Sequence, residues 1–142
     1  MVGLDILLNK LRYGRRFGRS LVNGSIWQLP FSNDSFDCVI CSEVIEHIPA
    51  GELPFLEICR VLKPGGMLVI GTPDYAHRTW RIIEALYRVA APGGYADEHI
   101  TQYSHESLVA LLQPLGYCVN QTGYILNSEM ILQCTYNPVG ER

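Results

Sequence analysis

Charge is scarce in this sequence. Charged residues make up 18% of its 142 residues against 48% hydrophobic, with a mean hydropathy of +0.10. The formal net charge of −3 leaves no basic footprint for nucleic acid, so no nucleic-acid partner is expected. No apolar run reaches membrane-spanning length and no signal-peptide pattern is visible, so no integral membrane segment is expected. Internal repeats and low-complexity stretches are missing as well. A disulfide framework is also unlooked-for. The five cysteines (Cys38, Cys41, Cys59, Cys118, Cys134) are odd in number and lie inside apolar runs. Cys38 and Cys41 have CxxC spacing, but residues three apart on a strand point to opposite faces, which argues against a disulfide or a shared metal. Buried free thiols fit a reducing compartment, and the expectation is a soluble cytoplasmic protein.

What is present reads as one α/β domain over residues 1–142, long enough for a real core and too short for two. The charge is uneven, +4 over residues 1–20 and −7 over the remainder. The basic run (Lys10, Arg12, Arg15, Arg16, Arg19) reads as a solvated helix face.

Val2 to Asp5 has the pattern of the end of a buried strand, Leu8 to Phe17 of a helix, and Leu21 to Ser25 of a short strand. Phe36 to Cys41 is an apolar run broken only by Asp37, the mark of a strand buried on both faces. A helix follows over about Glu52 to Leu62, with Phe55, Ile58, Cys59 and Leu62 on one face. Lys63-Pro-Gly-Gly66 reads as the turn that stops it, before a buried strand over Met67 to Gly71. Thr79 to Ala91 is a second helix, with Trp80, Ile83, Tyr87 and Ala90 on one stripe that could wall an apolar pocket. Ser104 caps a third helix that Gly116 stops. Tyr117 to Thr122 and Glu129 to Tyr136 are the final strands. Strands alternating with helices imply a doubly wound, mainly parallel sheet, with ligands beyond the carboxyl ends of its strands. Asp5, Ser25-Ile26 and Cys41-Ser42-Glu43 all fall there.

Two polar groupings stand out further on. In Glu43-Val-Ile-Glu46-His47, an i, i+4 spacing would put Glu43 and His47 on one helical face, able to meet a metal or a substrate proton. A helix start with acids in its first turn explains the same residues without a ligand, and no metal is expected. His99, in Asp97-Glu98-His99, has the unperturbed pKa of a general base. A polar surface loop is its plainer reading.

VGLDI with a basic helix, LPFSNDSFDCVICSEVIEHI and RVLKPGGMLVIGTP together resemble class I S-adenosylmethionine (SAM)-dependent methyltransferases of the type 11 kind. The tail EHITQYSHESLVALLQPLGY is similar to ubiquinone-pathway O-methyltransferases. The resemblance implies a Rossmann-like doubly wound sheet with an antiparallel C-terminal strand, and SAM as cofactor. Residue by residue it makes Asp5 the acid that binds ribose, and Ser25 and Ile26 the pair that meets adenine. Cys41 and Ser42 would line the methionine side. The family usually carries an acid where Ser25 stands, and a hydroxyl accepts more weakly than a carboxylate. His99 lies in the segment that covers the acceptor pocket, with Glu43 and His47 as further catalytic candidates. The implied reaction moves a methyl group to a hydroxyl or carbon of a small apolar molecule. An NAD-dependent Rossmann enzyme also uses an acid at the Asp5 position, but the LPF…SFD and EVIEHI segments point to methyltransferases.

The family's domain opens with a strand and a glycine-rich loop, and only four residues precede Asp5 here. The expectation is therefore an N-terminally truncated domain that needs a missing N-terminal segment or a partner chain. The competing expectation is a non-catalytic methyltransferase-like remnant or interaction subunit unable to bind SAM by itself.

Overall fold

The computed structural model describes residues 1–18, 20–90 and 99–138. Ten elements follow in order: β1 (Gly3–Asp5), α1 (Leu8–Arg15), β2 (Leu21–Asn23), β3 (Phe36–Ser42), α2 (Leu53–Val61), β4 (Leu62–Pro73), α3 (Arg78–Ala90), α4 (His105–Leu112), β5 (Tyr117–Ile125) and β6 (Glu129–Tyr136). Short 3₁₀ turns occupy Ile45–His47 and Gln113–Leu115.

The strands form two hydrogen-bonded sheets. β1 and β2 pair in parallel, with Gly3 opposite Leu21. The second sheet has the order β3-β4-β6-β5, with β3 parallel to β4 and β6 antiparallel to both of its neighbours. β5 therefore runs in the direction of β4, and β6 alone is reversed. This is the expected α/β fold with its antiparallel final strand, although the sheet is in two parts.

Local chemistry accounts for most element boundaries. Ser104 accepts from the Ser107 amide and Ser107 returns the bond, a reciprocal cap that starts α4. Gly116, at φ 91°, ends the 3₁₀ turn after α4. Gly14 lies inside α1, and a Cβ there would sit 2.7 Å from Leu21 Cδ1. The glycine lets the helix approach β2, which offsets its poor helix propensity.

Three sequence expectations need correction. Lys63–Gly66 is not a free turn. It belongs to β4, whose register against β3 is irregular between Phe36 and Cys38, with Gly65 at φ 78°. β3 is not buried on both faces, because Ile40 is 68% exposed and Cys38 is exposed. Its core side joins the cluster that α2 and α4 also enter, while its outer edge pairs with no strand among the described residues. Cys118, on the outer strand β5, is likewise exposed, so the thiols are not uniformly buried. Of the expected α3 stripe, Trp80 and Ile83 are half-buried, while Tyr87 and Ala90 lie outside the described side chains.

The core is continuous from Cys41, Ile45 and Phe55 through Leu68, Ile70 and Leu108 to Met130, Leu132 and Cys134. Truncating one of these buried leucines to alanine costs about 2–5 kcal/mol in a typical core. The loop ahead of β3 is fixed differently. Arg60 donates to the Leu29 and Phe31 carbonyls at 2.8 Å each, and Glu57 accepts from the Leu29 amide at 2.7 Å. The Arg60 guanidinium holds the Glu57 carboxyl down at about 2. A lowered pKa stabilises the fold fully above the ordinary glutamate value, and that contribution fades as pH falls toward about 2. Thermal melts of Glu57→Gln and the unsubstituted chain should therefore differ at neutral pH and converge in strong acid; an equal gap at both ends would contradict this anchor.

Candidate active site

The carboxyl ends of the parallel strands carry most of the residues singled out in the sequence. Asp5 closes β1, and its Oδ1 accepts from the Leu7 amide at 2.8 Å, which fixes the start of α1. Its main-chain carbonyl accepts from Asn23 Nδ2 at 3.0 Å and from the Gly24 amide at 3.3 Å. These bonds tie the end of β1 to the loop that bears Ser25 and Ile26. In that loop the Ser25 hydroxyl accepts from the Trp27 amide at 3.3 Å, and Ile26 packs against the core. Cys41 is buried at the end of β3, and burial pushes its thiol up to about 12, so it stays a neutral thiol. Ser42 lies beside β4, where a Cβ on Gly71 would fall 2.6 Å from its Oγ. Asp5 thus offers a carboxylate, Ser25 a hydroxyl and Ile26 an apolar face, a donor set suited to ribose hydroxyls and an adenine ring.

The Glu43–His47 segment departs from the sequence reading. Glu43 has φ 54° and the only helical turn is the 3₁₀ piece Ile45–His47, so Glu43 and His47 do not share an α-helical face. The signal was present in Pro49. A residue before proline is held extended, and Ile48 at φ −122°, ψ 155° leaves no room for a full helix.

Glu46 takes the place that the sequence offered to Glu43. Its residue is 0% exposed, and its Oε2 accepts from the equally buried Thr72 hydroxyl at 3.1 Å. Its main-chain carbonyl accepts from both the Ile100 and Thr101 amides, at 2.9 and 3.0 Å. Thr101 Oγ1 donates back to the Ile48 carbonyl at 2.6 Å. The segment bearing His99 is thereby held against the turn bearing His47. The two imidazole rings meet edge to face at 4.8 Å, and His47 Nε2 stands 3.8 Å from Glu46 Oε1. His99 stacks on Trp80 at 5.8 Å, and its Nδ1 shares a 2.7 Å hydrogen bond with the Tyr75 hydroxyl. Asp97 and Glu98 fall outside the described residues.

Thr72, Tyr75 and Trp80 were therefore missed as parts of the site, although Trp80 had been read as an apolar wall. Glu129 was missed as well. It begins β6 opposite Pro73, and with Glu46 it raises the Glu43 carboxyl. Burial is the largest cause of that rise, and together they bring Glu43 to about 8.

Glu46, His47 and His99 each present a ligand atom within 4.8 Å of the others, so the set could also hold a cation. As it stands the arrangement places a buried carboxyl beside two imidazoles, with His47 Nε2 3.8 Å from Glu46 Oε1. A groove of about 440 Å³ between α4 and β5, lined by His105, Gln113 and Thr122, lies elsewhere and includes none of these residues.

Residues 1–70 match the family model described as a methyltransferase domain. That match covers just under half of the chain. The chain is 33% identical over 89 residues to the demethylmenaquinone methyltransferase of Streptomyces avermitilis, a match covering 61% of this chain and 38% of that protein. The demethylmenaquinone methyltransferase of Shouchella clausii is 36% identical over 76 residues, covering 49% of this chain and 32% of that one. The chain thus matches less than two fifths of the length of these curated relatives. Among solved structures, a Thermotoga maritima SAM-dependent methyltransferase, described as a possible histamine N-methyltransferase, superposes with a TM-score of 0.79 at 21% identity, over 95% of this chain and 72% of that one. A Haloferax volcanii structure, the complex of the Trm112 methyltransferase activator with a methyltransferase, gives 0.76 at 17% identity, over 96% and 71%. The chain shares the fold of these methyltransferase structures.

The raised Glu43 carboxyl has a consequence for stability. A carboxyl whose folded pKa lies above its unfolded value of 4.5 favours the fold while protonated, and that advantage is lost as pH rises toward about 8. Glu129→Gln should lower the Glu43 pKa, followed by carbon-detected NMR titration, and flatten the loss of stability between these pH values. An unchanged Glu43 titration would show that the two carboxyls do not interact.

Proposed function

We propose that this chain is the greater part of one SAM-dependent methyltransferase domain that methylates a hydroxyl or carbon of a small apolar molecule. The observation that supports the reading is that Asp5 and Ser25-Ile26 sit at the carboxyl ends of the parallel pair β1 and β2, and Ser42 at the carboxyl end of β3, which runs directly into the Glu46–His47–His99 cluster. When bound, SAM supplies an electrophilic methyl group on its sulfonium. Asp5 accepts from the ribose hydroxyls, Ser25 and Ile26 receive the adenine, and Cys41 and Ser42 face the methionine side.

His99 takes the proton of an acceptor hydroxyl as the oxygen attacks. Tyr75 holds the ring through Nδ1, which leaves Nε2, buried within the cluster, as the nitrogen for proton uptake. The buried Glu46 carboxylate faces the imidazole pair and stabilises the cation formed by proton uptake. Chelator should leave this activity intact; its abolition by chelator, with restoration by a divalent ion, would replace the imidazole base with a metal site.

The outer edges of β1 and β3 carry no strand among the described residues. In this reading a further strand, from an upstream segment or a partner chain, lies between them and completes the sheet. The second reading, a remnant that does not bind the cofactor, is favoured by the same break, since an interrupted sheet gives the cofactor a less rigid floor. Calorimetric titration with S-adenosylhomocysteine separates the two. The chain extended by its preceding codons should bind, and Asp5→Ala should weaken binding by about tenfold or more, as expected for loss of a charged hydrogen-bond partner. Failure of the extended chain to bind would support the remnant.

A further inference from the structure

We propose that Asp74 is a positioning residue, which ties the Tyr75 loop to the β5–β6 hairpin and so sets the Tyr75 hydroxyl on His99 Nδ1. This role rests on the reading of His99 as the group that takes up the acceptor's proton.

Asp74 opens the four-residue link between β4 and α3. It is 2% exposed, and a carboxylate so buried is tolerated only where donors answer it. Its partners come from two directions. Within the link, Oδ1 accepts from the Ala76 amide at 3.0 Å and the Asp74 carbonyl accepts from the His77 amide at 3.0 Å. Across from the link, Oδ2 accepts from the Tyr124 hydroxyl at 3.0 Å, near the end of β5. The Asp74 amide donates to the Ser128 carbonyl at 2.9 Å, just before β6 begins. The His77 ring lies against Tyr124 at 5.1 Å and closes the same contact. β5 and β6 belong to the four-stranded sheet, so the link is anchored to a rigid element at its first residue.

Tyr75 is enclosed by these bonds. The Asp74 carboxylate reaches past it to the Ala76 amide, an Asx turn that restricts the backbone on both sides of the tyrosine. The Tyr75 amide donates to the Tyr103 carbonyl at 3.0 Å, which fixes the remaining side. A backbone held in this way leaves the side chain one direction in which to extend. Its ring meets Trp80 edge to face at 5.9 Å, and its oxygen lies 2.7 Å from His99 Nδ1. Burial pushes the Tyr75 phenol up to about 12, so it stays a neutral hydroxyl. The bond made at one imidazole nitrogen decides which nitrogen carries the proton. The chain of control therefore runs from the sheet through Tyr124, Asp74 and Tyr75 to the His99 ring, while Glu46 fixes the His99 segment through the Ile100 and Thr101 amides. A buried acid that merely stapled a loop would have no influence on that ring.

Nitrogen NMR of the full chain labelled at histidine, at one neutral pH and without cofactor or acceptor, tests this. The His99 shifts report which ring nitrogen is protonated and whether Nδ1 is hydrogen-bonded. Tyr75→Phe should move them. Asp74→Leu keeps a branched side chain without an acceptor, and should move them in the same direction. Asp74→Asn retains an acceptor for the Ala76 amide and offers Tyr124 a hydrogen bond of reversed sense, so it should keep the unsubstituted shifts. Tyr124→Phe removes one hydroxyl and keeps the ring. It should give a smaller movement in the same direction, and it serves if Asp74→Leu does not fold. A lower thermal midpoint with unmoved His99 shifts, in either Asp74→Leu or Tyr124→Phe, would overturn the proposal. Unmoved shifts in Tyr75→Phe would do so as well, since there would be no bond to position. Failure of methyl transfer is separable: an extended chain that does not bind S-adenosylhomocysteine, yet shows these shifts, loses the proposed reaction and keeps the positioning role.

Discussion

A single buried carboxylate, Glu46, joins the parts of this site that lie far apart in sequence. Its side chain takes the hydroxyl of Thr72 on β4, and its main-chain carbonyl takes two amides from the segment that follows the α3 region. A wholly buried carboxylate is costly to desolvate and is tolerated only where fixed groups answer it. Here the Thr72 hydroxyl donates to Oε2, and His47 Nε2 stands 3.8 Å from Oε1. His47 and His99 meet beside it, although 52 positions of sequence separate them. Tyr75 and Trp80 then hold His99 from the other side. The result is a compact acid–imidazole group just after the end of β3.

The second governing constraint is the interrupted sheet. β1 and β2 are joined to one another, and β3 to β4, β6 and β5, but no strand bridges the two groups among the described residues. Parallel sheets are ordinarily covered on both faces. The exposed Ile40 on β3 marks a face that α2 and α4 do not reach. The bonds from Asn23 and Gly24 to the Asp5 carbonyl keep the small sheet's own loop in place despite the break. The two strand groups are therefore each well defined internally, with no strand joining them among the described residues.

Much of this was legible in the sequence because it rests on local rules. The helix and strand order, the Ser104 cap, the Gly116 stop and the placement of Asp5, Ser25 and Cys41 at strand ends all follow from periodicity and turn chemistry. Two things were not legible, for different reasons. The insertion of β6 between β4 and β5 is a choice among pairings that no single strand encodes. The exchange of Glu43 for Glu46 arose because a four-residue spacing was read as α-helix, while Pro49 and the positive φ of Glu43 impose a shorter, tighter turn. The parts played by Thr72 and Tyr75 depend on β4 passing beside that turn, which only the three-dimensional register reveals.

The central claim is that the nucleoside end of the site lies at the carboxyl ends of β1, β2 and β3, with the acid–imidazole group beside it. Amide chemical-shift mapping with saturating S-adenosylhomocysteine, on the chain extended by its preceding codons, addresses this most directly. The account predicts the largest shifts at Asp5, at residues 23–26 and at residues 41–44, with a smaller response at His99. Shifts centred on the groove between α4 and β5, with Asp5 and Ser25 unmoved, would contradict it.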